Sequence, residues 1–148
     1  MNIRKILKNT LALELKGETK AEIIFELVDI MTRTGHIKSR EAAVEAVMER
    51  EKKMSTGMQN GIAIPHGKSD SVDCLVAAMG IKQDGMDFQS LDGQPSRIFI
   101  ATLSPANRTG PHIQFLAEVS RLLSNSHVRE KILNATSTEE LHEIMSSS

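Results

Sequence analysis

Asn60-Gly61-Ile62-Ala63-Ile64-Pro65-His66-Gly67 is the stretch on which the reading of this chain turns. After the Asn-Gly break, the apolar run Ile62 to Ile64 predicts a short strand that delivers a histidine between a proline and a glycine. Pro65 fixes its own φ and biases Ile64 toward extended backbone, so the approach to His66 is stiff. Gly67 lacks a Cβ, which lets a partner or substrate come close to the backbone just past the imidazole. A histidine held stiffly at a strand's end reads as a working group. The plainer alternative is a loop histidine touching solvent.

Working outward, two more strands are predicted at Cys74 to Ile81 and Arg97 to Leu103, separated by turn-rich sequence from Asp84-Gly85 to Asp92-Gly93-Gln94-Pro95. Beyond them, Pro111 fits the first position of a helix running to about Ser124. Ser126 opens a shorter helix through Leu133, and Ser137 with Glu140 forms a capping-box pattern before Leu141, Ile144 and Met145. On the other side, Leu11-Ala12-Leu13-Glu14-Leu15 alternates enough to suggest a strand. Thr19-Lys20-Ala21-Glu22 has capping-box spacing, and Ile23, Ile24, Leu27, Val28 and Met31 then recur helically until Gly35. Ser39 caps a further helix, in which Val44, Val47 and Met48 share a face and Arg50 falls near the end. Helices on both sides of a strand-rich middle predict an α/β layered domain with a mixed sheet. No repeat, low-complexity tract or linker divides the sequence, so residues 1–148 are expected to form a single domain.

Of the 148 residues, 40% are hydrophobic and 25% charged, ordinary values for a globular protein. A net charge of -1 supplies no field that would draw the molecule to nucleic acid or anionic lipid. With four Phe and no Tyr or Trp, the stacking platforms of a single-strand binder are also missing. Cys74 is the only cysteine, which excludes a disulfide within the chain and fits a reducing compartment. It sits in an apolar run and reads as an inert buried sulfur. No run approaches the ~18–20 apolar residues of a membrane span. Met1 to Lys8 does not resemble a secretion signal, so a cytoplasmic location is expected.

Five histidines are available for chemistry. His127 and His142 fall on charged amphipathic helices and read as solvated. His36 follows Gly35 at a helix end, where an imidazolium favours the negative end of the dipole. His112 sits in the first turn of a strongly apolar helix, where free backbone N–H groups favour a neutral ring and attract an anion. His66 and His112 together suggest a metal site or a phosphoryl site. Metal is the weaker reading, because there is no HExxH, no cysteine cluster and no obvious carboxylate beside either histidine. The GxSxG of a serine hydrolase is absent, as are the GxxxxGK[ST] and GxGxxG loops of nucleotide sites. What remains is a histidine that itself carries a phosphoryl group. Such a group needs a bare ring nitrogen and a fixed cation. Arg50 is a candidate because its planar fork can hold two phosphate oxygens, but spacing alone does not choose it over Arg40 or Lys68.

Glu49-Arg50-Glu51, Ser55-Thr56-Gly57, Gly61 to Gly67 and Pro111-His112-Ile113 resemble the enzyme IIA domains of the fructose/mannitol class (type 2) of the bacterial phosphoenolpyruvate-dependent sugar phosphotransferase system. Asp87-Phe88-Gln89-Ser90-Leu91-Asp92-Gly93-Gln94-Pro95 resembles the fructose-type segment between strands. The resemblance runs from Leu11 to Met145. It implies a three-layer α/β/α fold, with a mixed β-sheet flanked by helices on both faces. It implies that His66 accepts phosphoryl through Nε2 from the phosphohistidine of the carrier protein HPr and passes it to a cysteine of a IIB domain. Arg50 would steady the phosphoryl oxygens and His112 would hydrogen-bond to them. No cofactor, nucleotide or metal is implied, and neither nucleic acid nor direct membrane insertion is expected.

Two branches of that family stay open. In a sugar-uptake carrier, fructose-like by the Phe88 to Pro95 stretch, the phosphoryl group moves on to a IIB protein. In a nitrogen-regulatory IIA, phosphorylation instead switches binding to regulatory partner proteins. The chain reads as a free-standing IIA without IIB or membrane segments, which keeps the second branch in view. A third alternative, from a different class, is a small-ligand binding module that uses a His66/His112 cleft without phosphorylation.

Overall fold

A computed structural model describes residues 2–146 of the chain. In chain order its elements are α1 (Ile3–Ile6), β1 (Leu11–Ala12), α2 (Lys20–Met31), α3 (Arg40–Lys53), β2 (Ile62–Ala63), β3 (His66–Lys68), β4 (Val76–Met86), β5 (Ser96–Ser104), α4 (Thr109–Leu123), α5 (Ser126–Leu133) and α6 (Thr138–Ser146). The sheet runs β1-β4-β5-β2, with β3 also paired to β5. Among the described residues, only the β4–β5 strand pair is antiparallel; β1 lies parallel to β4, and β2 and β3 lie parallel to β5. The sheet is mixed, as expected.

β5 is covered on both faces, and every residue from Ser96 to Ser104 except Arg97 is buried. Its side chains alternate between two cores, as the two-residue period of a strand requires. Phe99, Ala101 and Leu103 face α2 and α3, where they meet Ile23, Ile24, Leu27, Val28 and Val47. Ile98 and Ile100 face the opposite layer, with Phe115, Val119 and Leu123 of α4, Ile132 of α5 and Leu141 of α6. Two apolar cores with one sheet between them make the three-layer α/β/α arrangement.

Several boundaries differ from the sequence reading, each for a local reason. The Leu11–Leu15 strand shortens to Leu11–Ala12, although the Leu15 N–H still donates to the Ile81 carbonyl at 2.7 Å. β4 continues past Ile81 to Met86 through a register shift, so Asp84-Gly85 lies within a strand and not at its end. α4 begins at Thr109, which puts Pro111 third in the helix and not first. Its missing N–H is harmless there, because the first-turn donors have no partner within the helix. Thr19 and Ser137 do accept the N–H groups of Glu22 and Glu140, at 3.1 and 3.0 Å. The return bonds run one residue further back than a standard capping box, from the N–H groups of Glu18 and Thr136 to the Glu22 and Glu140 carboxylates.

Candidate functional site

The predicted strand at Ile62–Ile64 is β2, and a second strand, β3, follows it after a break that makes the site. Asn60 and Gly61, both at positive φ (63° and 75°), turn the chain into β2. Pro65 cannot donate to a ladder, and it lies on the outer edge of the sheet, where that omission is tolerated. Its carbonyl still accepts the Thr102 N–H at 3.1 Å, so the chain resumes in register and β3 begins with His66 beside Thr102. His66 therefore opens a strand and does not close one. Its Nδ1 lies 2.8 Å from the Ile64 carbonyl oxygen. A carbonyl only accepts, so Nδ1 carries the proton and Nε2 keeps a free lone pair.

Gly67 serves a purpose other than the one its sequence suggested. A Cβ on Gly67 would stand 2.9 Å from Ala46 C and 2.9 Å from Val47 N. The close approach is made by this chain's own α3, not by a partner or substrate. It brings the last turns of that helix, and Arg50 with them, toward the imidazole.

His112 comes from the other layer. It projects from α4 toward Thr102, with Nδ1 3.1 Å from the threonine Oγ1, and is only 6% exposed. The His66 and His112 rings sit 5.1 Å apart, centre to centre, at 44°. Burial, followed by the neighbouring His66 and Lys68, lowers the His112 pKa to about 4. Burial is also the main cause lowering that of His66; Arg50 and Lys68 add to it, while the Ile64 bond and Glu51 oppose it. Both rings are neutral at neutral pH.

A cleft of ≈ 570 Å³ opens over these rings, lined by Ala46, Glu49, Arg50, Lys53, His66, Gly67, Lys68 and His112. Of the three cations left open by spacing, Arg50 and Lys68 line it. Arg40 opens the far end of α3 and pairs with Asp29. The Arg50 Nη1 donates to the Met54 carbonyl at 2.8 Å, which ties the guanidinium to its own helix end and leaves other donors for the cleft.

Two supporting residues escaped the sequence reading. Thr102 joins the His112 ring to the strand that carries His66. Glu51, 7% exposed, accepts from the Thr56 N–H at 3.0 Å and the Lys20 Nζ at 2.7 Å, and its other oxygen accepts the Thr56 hydroxyl. The Thr56 carbonyl in turn accepts the Ile64 N–H at 3.1 Å. A continuous set of polar contacts therefore runs from Lys20 through Glu51 and Thr56 to the residue whose carbonyl holds His66. The readable signal was spacing: Ala43, Val47 and Glu51 recur every four residues, so the carboxylate continues the buried face of α3. Ser55 Oγ also donates to the Phe88 carbonyl, and the Leu91 N–H to the Gly57 carbonyl at 3.1 Å, which docks the Asp87–Pro95 segment on the same loop.

The remaining histidines lie elsewhere. His127 is exposed on α5, and His142 contacts the Arg4 carbonyl at 2.7 Å. His36 does not cap a helix; its ring meets Asp73 at 3.2 Å. Cys74 is partly exposed, and not the buried sulfur expected.

The layered sheet with paired histidines over an open cleft defines a class of protein, the three-layer α/β/α domains with a histidine site at the sheet edge. Within that class, the model of the family described as phosphoenolpyruvate-dependent sugar phosphotransferase system, EIIA 2, matches residues 5–148, and the chain belongs to this family. It is 37% identical over 148 residues to the PTS system fructose-specific EIIABC component of Bacillus subtilis (strain 168), covering 98% of this chain and 23% of that protein. The chain thus spans under a quarter of that relative's length. It is 35% identical over 135 residues to the PTS system fructose-specific EIIA component of Haloferax volcanii, covering 91% of this chain and 88% of that one. The crystal structure of nitrogen regulatory protein IIA-Ntr from Neisseria meningitidis superposes with a TM-score of 0.88 at 28% identity, covering 97% of this chain and 98% of that one. No helix among the described residues is long and apolar enough to cross a membrane.

Proposed function

We propose that this chain is a cytoplasmic phosphohistidine carrier that accepts a phosphoryl group on His66 Nε2 from phospho-HPr and passes it to the cysteine of a IIB component, fructose-type by its nearer relatives. The observation that carries the reading is the Nδ1 bond to the Ile64 carbonyl, which leaves Nε2 bare at a cleft shared with Arg50 and His112. In the first step an Nε2–P bond forms as the donor's N–P bond breaks, and the donor ring regains its lone pair. No proton leaves His66. The phosphorylated ring keeps its Nδ1 proton and gains cationic character, which the Ile64 carbonyl stabilises. The ring is then a good leaving group for attack by a thiolate.

Arg50 offers its remaining N–H donors to the phosphoryl oxygens. His112 stays neutral, and a Thr102 hydroxyl donating to its Nδ1 puts the single ring proton on Nε2 as a further donor. Donors already in place reduce the rearrangement needed as charge moves. The exposed Ile113, next to His112, supplies an apolar contact for the docking partner.

The test is incubation with phosphoenolpyruvate, enzyme I and HPr, followed by intact-mass measurement. The expected result is one acid-labile, base-stable phosphoryl group, lost in His66→Ala and formed about a hundredfold more slowly in Arg50→Ala. A protein that gains no phosphoryl group is a ligand-binding module instead. A second reading, phosphorylation-dependent control of regulatory proteins, is favoured by the close superposition on the Neisseria nitrogen-regulatory IIA-Ntr. Rapid onward transfer to a fructose-type IIB supports the sugar carrier; acceptance without onward transfer supports the regulator.

A further inference from the structure

The one cysteine lies outside the phosphoryl cleft, where the turn between β3 and β4 meets the connection from α2 to α3. Ile37 and Val72 form an isolated antiparallel bridge there, and the Lys38 N–H donates to the Ser71 carbonyl at 2.7 Å. The turn is itself anchored, through the Ser69 N–H to the Ser104 carbonyl at 2.9 Å and the Ser71 N–H to Ser69 Oγ at 3.1 Å. His36 extends from one of these clamped segments, and Asp73 and Cys74 from the other. One ligand atom from each residue lies within 4.8 Å of the other two.

We propose that His36, Asp73 and Cys74 form a binding site for a zinc-class divalent cation, with solvent completing the coordination. An imidazole nitrogen, a thiolate sulfur and a carboxylate oxygen make a mixed donor set that suits zinc, whereas calcium and magnesium call for oxygen ligands alone. Zinc–ligand bonds of about 2.0–2.3 Å need donor atoms roughly 3.3–3.8 Å apart in a tetrahedron. The His36–Asp73 contact of 3.2 Å is already close to that spacing. The rest closes by rotating side chains that are half exposed, on backbone already fixed by the bridge, so little ordering is needed on binding. On binding, the Cys74 thiol gives its proton to solvent and the Sγ–metal bond forms. His36 joins as the neutral ring. None of the three residues lines the cleft over His66, so metal binding and phosphoryl acceptance are separable.

The full chain, kept reduced with a phosphine, is titrated with zinc chloride by calorimetry and with cobalt(II) by absorbance. The expected result is one equivalent bound, with a thiolate-to-cobalt charge-transfer band and tetrahedral visible bands. Cys74→Ser abolishes the charge-transfer band, and both Cys74→Ser and His36→Ala weaken zinc binding by at least about tenfold, while phosphoryl acceptance at His66 is unchanged. No stoichiometric binding, or zinc binding equally tight in Cys74→Ser, overturns the proposal. So does zinc binding that disappears in His66→Ala, which would put the ion in the phosphoryl cleft.

Discussion

The two helices that flank the histidines hold their residues by different means. α4 presents His112 from a helix seated by Phe115, Val119 and Leu123, all buried in one apolar core. α3 buries only Ala43, Val47 and Glu51, and its last turn is fixed by the Glu51 contacts to Lys20 and Thr56. Apolar packing is non-directional and sets where a helix lies; hydrogen bonds set how a single turn is oriented. The contrast teaches that the His112 ring is positioned by volume, and the helix end that carries Arg50 by charge. Lys20 strengthens the polar side, since its ammonium also sits 4.8 Å over the Phe88 ring, which packs edge-on against Phe99.

The largest expected effect breaks the packed side. Phe115→Ala lowers stability by about 3–5 kcal/mol in urea denaturation, while the protein that remains folded accepts phosphoryl at close to the original rate, because Val119 and Leu123 still seat α4 on the core. Glu51→Ala is the counterpart, destabilising by about 2–3 kcal/mol because it strands the buried Thr56 donors and removes the carboxylate partner of Lys20. Here transfer kinetics of the folded protein fall as well, since Arg50 and Ile64 lose their common anchor. If both variants lose only stability, the two sides are held alike and the contrast is wrong.

A pH series sharpens the same comparison. The folded-state pKa of His112 lies below its ordinary value of 6.5, at about 4. Between those values the unfolded chain binds a proton that the folded chain does not, so stability falls as pH drops from 6.5 toward 4. This ring contributes at most about 2–3 kcal/mol of that loss. Stepped-pH denaturation of His112→Asn should show a flatter acid limb than the parent protein. Phosphoryl acceptance should also fall with acid, as His66 Nε2 becomes protonated. The smallest effect is expected for Thr102→Val, which keeps the side chain's shape but removes the partner of His112 Nδ1. Transfer should slow by up to about tenfold, the equivalent of one hydrogen bond, with a stability loss of about 1–2 kcal/mol because the buried His112 Nδ1 loses its partner.

Much of the fold was legible because its signals are local. The apolar row of α2, the caps at Thr19 and Ser39, and the α5 boundaries at Ser126 and Leu133 depend on neighbours a few residues away. His66 and His112 were legible as unusual histidines, and the structure brings them together with Arg50 and Lys68. What escaped depends on contacts across the fold. Nothing near Gly67 announces that α3 is the element pressed against it. Thr102 looks like any strand residue until His112 arrives from α4. Pro65 was read as stiffening a strand's end, whereas its carbonyl pairs with β5 and lets the strand resume. His36 and Cys74 were read as a cap and a buried sulfur because the bridge that joins their segments spans 35 residues of sequence.

The account rests on which ring nitrogen of residue 66 is free. Two-dimensional ¹H–¹⁵N spectroscopy of the imidazoles, before and after phosphorylation, tests this directly. The prediction is a neutral His66 at pH 7 with its proton on Nδ1, held by the Ile64 carbonyl, and phosphorus on Nε2 once HPr has donated. A His66 protonated on Nε2 in the free protein, or phosphorus on Nδ1 or on another side chain, would contradict it.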